Sequence, residues 1–296
     1  MDRTPLLLHF AENLASASAI AQAAGFHQAV IERHRFPDGE LKLRLPATLP
    51  ERVVLLRTLD NPNEKLVELM LTARTARDLG ALHLTLVAPY LAYMRQDIAF
   101  QPGEVVSQRV VGRFLSELFD AVITVDPHLH RISTLTEAIP VAQASVLSGA
   151  PLLADLIAQH YPQPLLVGPD EESAQWVAQA ADRHGFEHAV CHKIRRGDRD
   201  VQIALPDTPV IARHVVLLDD VASSGHTLAG AARLLIAAGA ASVDVAVTHA
   251  LFAGDAVKLI KQAGVGHVWS TDCIAHPSNA VSMAGLIAHT LLSHTT

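Results

Sequence analysis

The chain has 296 residues, is 50% hydrophobic and 18% charged with 4% aromatics, and carries a formal charge of -7. This length predicts about two domains, each able to bury a core. The acidic balance excludes a general nucleic-acid binder, which needs a basic face, but leaves room for local basic clusters around a phosphorylated small molecule. Cys191 and Cys273 stand far apart without metal-ligand spacing and read as two buried thiols of a reducing cytosol. The opening MDRTPLLLHF has too short an apolar part for a secretory signal, so a cytoplasmic location is expected.

In chain order, strand-length apolar runs begin at Arg52 (RVVLL), Leu82 (LHLTLVA), Ala121 (AVITV), Pro164 (PLLVG), His214 (HVVLL) and Ser242 (SVDVAV). Helix-period stretches alternate with them. In EKLVELMLTARTARDLG, Leu66, Leu69, Met70, Ala73 and Ala76 fall on one helical face. EVVSQRVVGRFLSELF, ESAQWVAQAADRHG and TLAGAARLLIAAGA read alike, with Gly185 and Gly239 as helix stops. Short continuous apolar strands alternating with helices predict an α/β fold with mostly parallel sheets covered on both faces. The least structured stretch, Thr134 to Pro151, places a boundary between domains 1–145 and 146–296. HKIRRGDRDVQIALPDTP reads as a second irregular, basic region. The uncharged tail from Pro277 to Thr296 is interrupted by polar residues and reads as a docked helix, able to pack on the first domain, rather than as a membrane span.

The sharpest chemical signal is HVVLLDDVASSGHTLAGAARLL: a buried strand, a polar loop, then a helix. Ligands of open α/β sheets sit at the carboxyl ends of strands, where this loop falls. Asp219 and Asp220 can accept hydrogen bonds from vicinal hydroxyls or hold Mg²⁺. The hydroxyls and backbone N–H groups of Ser223, Ser224, Gly225, His226 and Thr227 can surround a phosphate at the positive end of a helix. On residue types alone, the segment reads equally well as an acidic N-cap and a simple turn.

Its pattern, four hydrophobic residues, two acidic ones, a spacer and Gly-x-Thr, resembles the phosphoribosyl-diphosphate motif of type I phosphoribosyltransferases and of ribose-phosphate diphosphokinases. Five further segments resemble the second family in order: RFPDGELKLRL, APYLAYMRQD, FDAVITVDPHLHRI, VGPDEESAQWVAQAADRHG and CHKIRRGDRD. The resemblance implies two phosphoribosyltransferase-like domains and transfer of the diphosphate of ATP to the anomeric hydroxyl of ribose 5-phosphate. It implies a homo-oligomer in which the F-x-D-G-E loop completes the neighbour's ATP site, through Phe36, Asp38 and Glu40. Arg95 and Gln96 would hold ATP, and His128 and Asp170 its Mg²⁺. Lys193 and Arg195 would lie over the reacting phosphoryl group on a loop freed by Gly197. Asp219 and Asp220 would hold the ribose hydroxyls or a second Mg²⁺, with Ser223 through Thr227 on the 5-phosphate. Neither a nucleic acid nor a membrane is implied.

Three departures mark the chain. Glu171 and Glu172 follow Asp170 where the family commonly has two glycines, and Ser223 stands where an aspartate is usual. IAFQPGEVVS follows Asp97 where many bacterial members are lysine-rich, a form that looks archaeal and implies weak or absent ADP inhibition at a regulatory site. Two other readings share these residues: a catalytically weak nucleotide-binding regulatory homologue, and a related enzyme acting on another sugar phosphate.

Overall fold

A computed structural model describes residues 4–129, 131–195 and 201–294. Two compact units divide the chain: residues 1–147 joined by 283–296, and residues 148–282. The first opens with β1 (Leu6–His9), α1 (Leu14–Ala24), β2 (His27–Val30), β3 (Glu32–Arg35), β4 (Leu41–Arg44), β5 (Arg52–Leu56) and α2 (Pro62–Asp78). It continues with β6 (His83–Ala88), α3 (Ser107–Leu118), β7 (Ala121–Val125), α4 (Leu135–Ala138) and β8 (Gln143–Leu147). The second holds α5 (Ala150–His160), β9 (Leu165–Gly168), α6 (Ala174–His184), β10 (Glu187–Val190), β11 (His192–Arg195), β12 (Val201–Ala204) and β13 (His214–Ala222). Then come α7 (His226–Ala237), β14 (Ser242–Ala250), α8 (Ala256–Gln262), β15 (Val268–Thr271) and β16 (Asn279–Val281); α9 (Ala284–Ser293) returns to the first unit.

The two sheets have one topology. The first runs β2-β1-β5-β6-β7-β8 and the second β10-β9-β13-β14-β15-β16, parallel throughout. Each unit also carries an antiparallel hairpin outside its sheet, β3–β4 and β11–β12, inserted at the same point. Helix α5 packs on α6, and α9 packs on α1. The last helix of the chain therefore supplies the first unit with the layer that α5 gives the second.

Strand β13 shows why its apolar run is continuous rather than alternating. Val215 and Leu217 pack with Leu228, Ala232 and Ile260 on the α7/α8 face. Val216 and Leu218 pack with Leu153, Ile157 and Val177 on the α5/α6 face. Both faces are covered, so every position must be apolar. Gly185 ends α6 in the left-handed conformation, at φ 68°.

Three local readings change. On α2 the buried positions are Glu68, Leu69, Thr72, Ala73 and Ala76, whereas Met70 is 39% exposed and Leu66 only partly buried. The stripe is rotated because Glu68 turns inward to meet Arg57. The stretch 134–151 holds α4, started by a Thr134–Glu137 capping box, and edge strand β8, both too short to show a period. HKIRRGDRDVQIALPDTP contains the β11–β12 hairpin, in which Lys193 pairs with Ile203 and Arg195 with Val201. The side chains of Lys193 and Arg195, and the whole of Gly197, lie outside the described residues.

Candidate active site

In the second unit, β13 continues through Asp219 and Asp220 to Ala222, so the two carboxylates sit on the strand itself rather than after it. By strand alternation, Asp219 continues the face of Val215 and Leu217, and Asp220 that of Val216 and Leu218. Asp220 is buried, and its N–H donates to Asp219 Oδ1 at 3.0 Å. Asp170 comes from the neighbouring strand β9, two residues past its end, and is also buried. Burial, then the charges of Asp220 and Asp170, push the Asp219 carboxyl well above the usual carboxylate range. The sheet end thus gathers three hard oxygen donors whose mutual repulsion a divalent cation or hydroxyl donors would relieve.

Asp170 is held by the turn it starts. Its Oδ1 accepts from Glu172 N–H at 3.1 Å and its carbonyl from Ser173 Oγ at 2.5 Å. Gly168 makes this turn possible, because a Cβ there would lie 2.2 Å from Ser173 Oγ. Glu171 and Glu172 are exposed, and Glu171 Oε1 meets His192 Nδ1 at 3.0 Å. That contact ties the first departure from the family pattern to β11, the strand carrying Lys193 and Arg195.

Beyond Ala222 the chain turns through Ser223 and Ser224 into α7. Gly225 caps the helix at φ 76°, and a Cβ there would stand 3.1 Å from the Ala256 carbonyl oxygen. Both facts require glycine. The first backbone N–H groups of α7 have no intrahelical acceptor and point outward, the arrangement that receives an anion.

In the first unit, the Phe36–Glu40 loop closes the β3–β4 hairpin. Phe36 N–H donates to the Glu40 carbonyl at 2.8 Å, Gly39 N–H to that of Phe36 at 2.9 Å, and Glu40 N–H to Asp38 Oδ1 at 3.1 Å. Phe36, Asp38 and Glu40 are all exposed. Arg95 is exposed and Gln96 half-buried in the loop after β6; Gln108 fastens that loop, its Nε2 donating to the Met94 carbonyl at 3.1 Å and its N–H to that of Gln96 at 3.2 Å. Buried Asp97 accepts from Arg131 Nη1 at 2.5 Å. This bridge joins the loop of Arg95 and Gln96 to the loop of half-buried His128. Sequence reasoning passed over Arg131, because only the bridge gives it a role.

His128 and Arg95 thus belong to one unit, and Asp170, Asp219, Asp220 and the Ser223–Thr227 turn to the other. Among the described residues, no group of three or more His, Cys, Asp or Glu is arranged to hold a metal by protein ligands alone. No described helix is long and apolar enough to cross a membrane. Both cysteines are buried and unbridged.

Two parallel α/β units of one topology, the second carrying an acidic strand end that runs into a helix-N-terminal turn, define a protein of the phosphoribosyltransferase type. A family model described as the N-terminal domain of ribose phosphate pyrophosphokinase matches residues 6–118, and one for the phosphoribosyl transferase domain matches 137–265. The ribose-phosphate pyrophosphokinase of Methanopyrus kandleri is 34% identical over 287 residues, 96% of this chain and 97% of the relative. That of Halobacterium salinarum is 32% identical over 290 residues, 97% of this chain and 100% of the relative. The phosphoribosylpyrophosphate synthetase of Mycobacterium smegmatis shares the fold, with a TM-score of 0.84 over 99% of both chains at 22% identity. The chain belongs to the ribose-phosphate pyrophosphokinase (diphosphokinase) family. The expected family, fold class and enzyme class all hold.

Proposed function

We propose that this chain moves the diphosphate of ATP onto the anomeric hydroxyl of ribose 5-phosphate, releasing AMP. The observation that carries this reading is the meeting of Asp170, Asp219 and Asp220 at adjacent strand ends, beside the Gly225 turn, in a member of this family. The turn from Ser223 to Thr227 takes the 5-phosphate through N–H and hydroxyl donors. Asp219 and Asp220 accept from the ribose hydroxyls and so orient the anomeric oxygen.

That oxygen attacks the β-phosphorus and gives up its proton to solvent; an O–P bond forms, the α–β bridge breaks, and AMP leaves with the electron pair. Such transfer is mostly positioning and charge stabilisation. Lys193 as a point charge and Arg195 as a fork of donors meet the charge developing on the non-bridging oxygens. Phe36, Asp38 and Glu40 contact the nucleoside across a homo-oligomer interface, and Arg95 and Gln96 hold the ATP phosphates and adenosine side. Mg²⁺ fits the donor set, because the carboxylate oxygens that Asp170, Asp219 and Asp220 bring to adjacent strand ends suit a hard cation. His128 and Asp170 would hold it, with ATP oxygens and water completing the shell. When bound, Mg²⁺ supplies neutralisation of the triphosphate charge.

Purified protein given ATP, Mg²⁺ and ribose 5-phosphate should form AMP and phosphoribosyl diphosphate, both read by chromatography. Lys193→Ala should lower kcat roughly 100- to 1,000-fold, the scale of losing one transition-state donor. ATP binding without AMP release would instead support the regulatory homologue, and AMP release with a different sugar phosphate only, the altered-substrate enzyme.

A further inference from the structure

The β3–β4 hairpin stands outside the six-stranded sheet, and a two-stranded hairpin is marginal by itself. Strand β4 contributes Leu43 to the core as a partly buried residue. Strand β3, by contrast, is exposed at all four positions, with the sequence Glu-Arg-His-Arg. Beyond its pairing with β4, its attachment is therefore made of charge. Arg33 Nη1 pairs with Glu68, and Arg35 Nη2 with Glu64.

The spacing of these pairs is a geometric match. Arg33 and Arg35 are two apart on a strand, about 6.7 Å, and Glu68 and Glu64 are four apart on α2, about 6 Å. Strand and helix run in opposite senses, so both pairs close at once. Behind them, Arg57 and Glu68 are 2% and 0% exposed at the side chain, and Glu12 bridges Arg57 at 2.8 Å and Arg33 at 3.1 Å. Arg57 lies over the Phe10 ring at 4.5 Å and Arg33 at 5.5 Å. The outer end of the zipper is Arg35, the residue next to Phe36. The Phe36–Glu40 loop is stiffened by its own hydrogen bonds, so its location is set by the anchorage of the strand that carries it.

We infer that Arg33 and Arg35 are positioning residues for the nucleotide: through Glu68 and Glu64 they hold the Phe36–Glu40 loop where it reads ATP. This rests on the proposed role of that loop. The test uses the full-length enzyme and compares Arg35→Glu, Glu64→Arg and the double swap, with Arg33→Gln as a second variant that leaves the buried Arg57–Glu68 pair intact. Each single variant should raise KM for ATP about tenfold with kcat and KM for ribose 5-phosphate nearly unchanged, because ground-state binding alone is lost; Tm should hold in the Arg35 and Glu64 variants and fall in Arg33→Gln, which takes a partner from buried Glu68. Amide exchange over residues 36–44 should accelerate in the same variants. The double swap should return both readouts to within about threefold of the wild type. A double swap that restores neither overturns the inference, since an arginine that touched ATP directly could not be replaced from position 64. Phe36→Ala separates the two ideas: if it leaves KM for ATP unchanged, the reading of the loop fails, while the exchange data still decide whether the zipper holds the loop.

Discussion

RVVLL is followed by Arg57 and HVVLL by Asp219, and the two runs form the equivalent strands β5 and β13 of their sheets. The two strand ends are managed in opposite ways. In the first unit, Arg57 stacks on Phe10 and is answered by Glu12 and buried Glu68, with Arg33 closing a neutral ring. In the second, Asp219 meets two further carboxylates, Asp220 and Asp170, and its pKa is driven up. One topology therefore supports a strand end whose charges are matched and one whose charges are crowded, where the binding of ribose 5-phosphate is proposed. Crowding of this kind marks functional sites, where local stability yields to chemistry.

Breaking the matched end should have the largest effect on stability. Glu68→Gln removes the buried counter-charge of Arg57, leaving it only the exposed Glu12, and should cost about 3–5 kcal/mol, read by thermal or denaturant unfolding; a loss below about 1 kcal/mol would remove the contrast between the units. At the crowded end the sign reverses. Asp219→Asn should lower activity about 100-fold or more while leaving Tm unchanged or higher, because a repelled carboxylate is gone. A raised carboxyl destabilises the fold as pH rises from the ordinary carboxylate pKa to its shifted value, since the folded state then holds the extra proton. The Asn variant should lose that slope in stability measured against pH.

Gly225→Ala should cost about 1–2 kcal/mol for the left-handed residue and raise KM for ribose 5-phosphate. Cys191 reports the charge of the second unit: burial, then Asp170, push its thiol up to about 11. Folded protein at pH 8 should resist iodoacetamide at Cys191, and Asp170→Asn should react faster. Stability from this thiol should fall between pH 9 and 11, where the unfolded chain ionises first.

The smallest effect concerns α9. His294 Nε2 meets Ser145 Oγ at 2.8 Å, and burial, then His83, lower its pKa. The folded state favours the neutral ring, so stability is present above the ordinary histidine pKa and lost as pH falls below it. His294→Asn should flatten amide exchange of α9 against pH between about 7 and 5.

Motif order carried the family, and continuous apolar runs carried the parallel sheets, because strands covered on both faces allow no polar position. The hairpins were not legible. β3 has no apolar residue to match the alternating LKLR of β4, and the stretch carrying β11 and β12 is basic and loop-rich. Met70 was misread because periodicity has no term for a carboxylate drawn inward by a buried arginine.

From its sequence alone, this protein is determined as a two-unit parallel α/β chain with the family's acidic and phosphate-binding segments in order, since hydrophobic period and loop chemistry act over short range. Only tertiary structure decided that α9 completes the first unit, that Arg131 joins two site loops, and that Asp170 lies close enough to raise Asp219. Each depends on groups distant in sequence meeting in space, where Coulomb energy and burial, not local propensity, set the outcome.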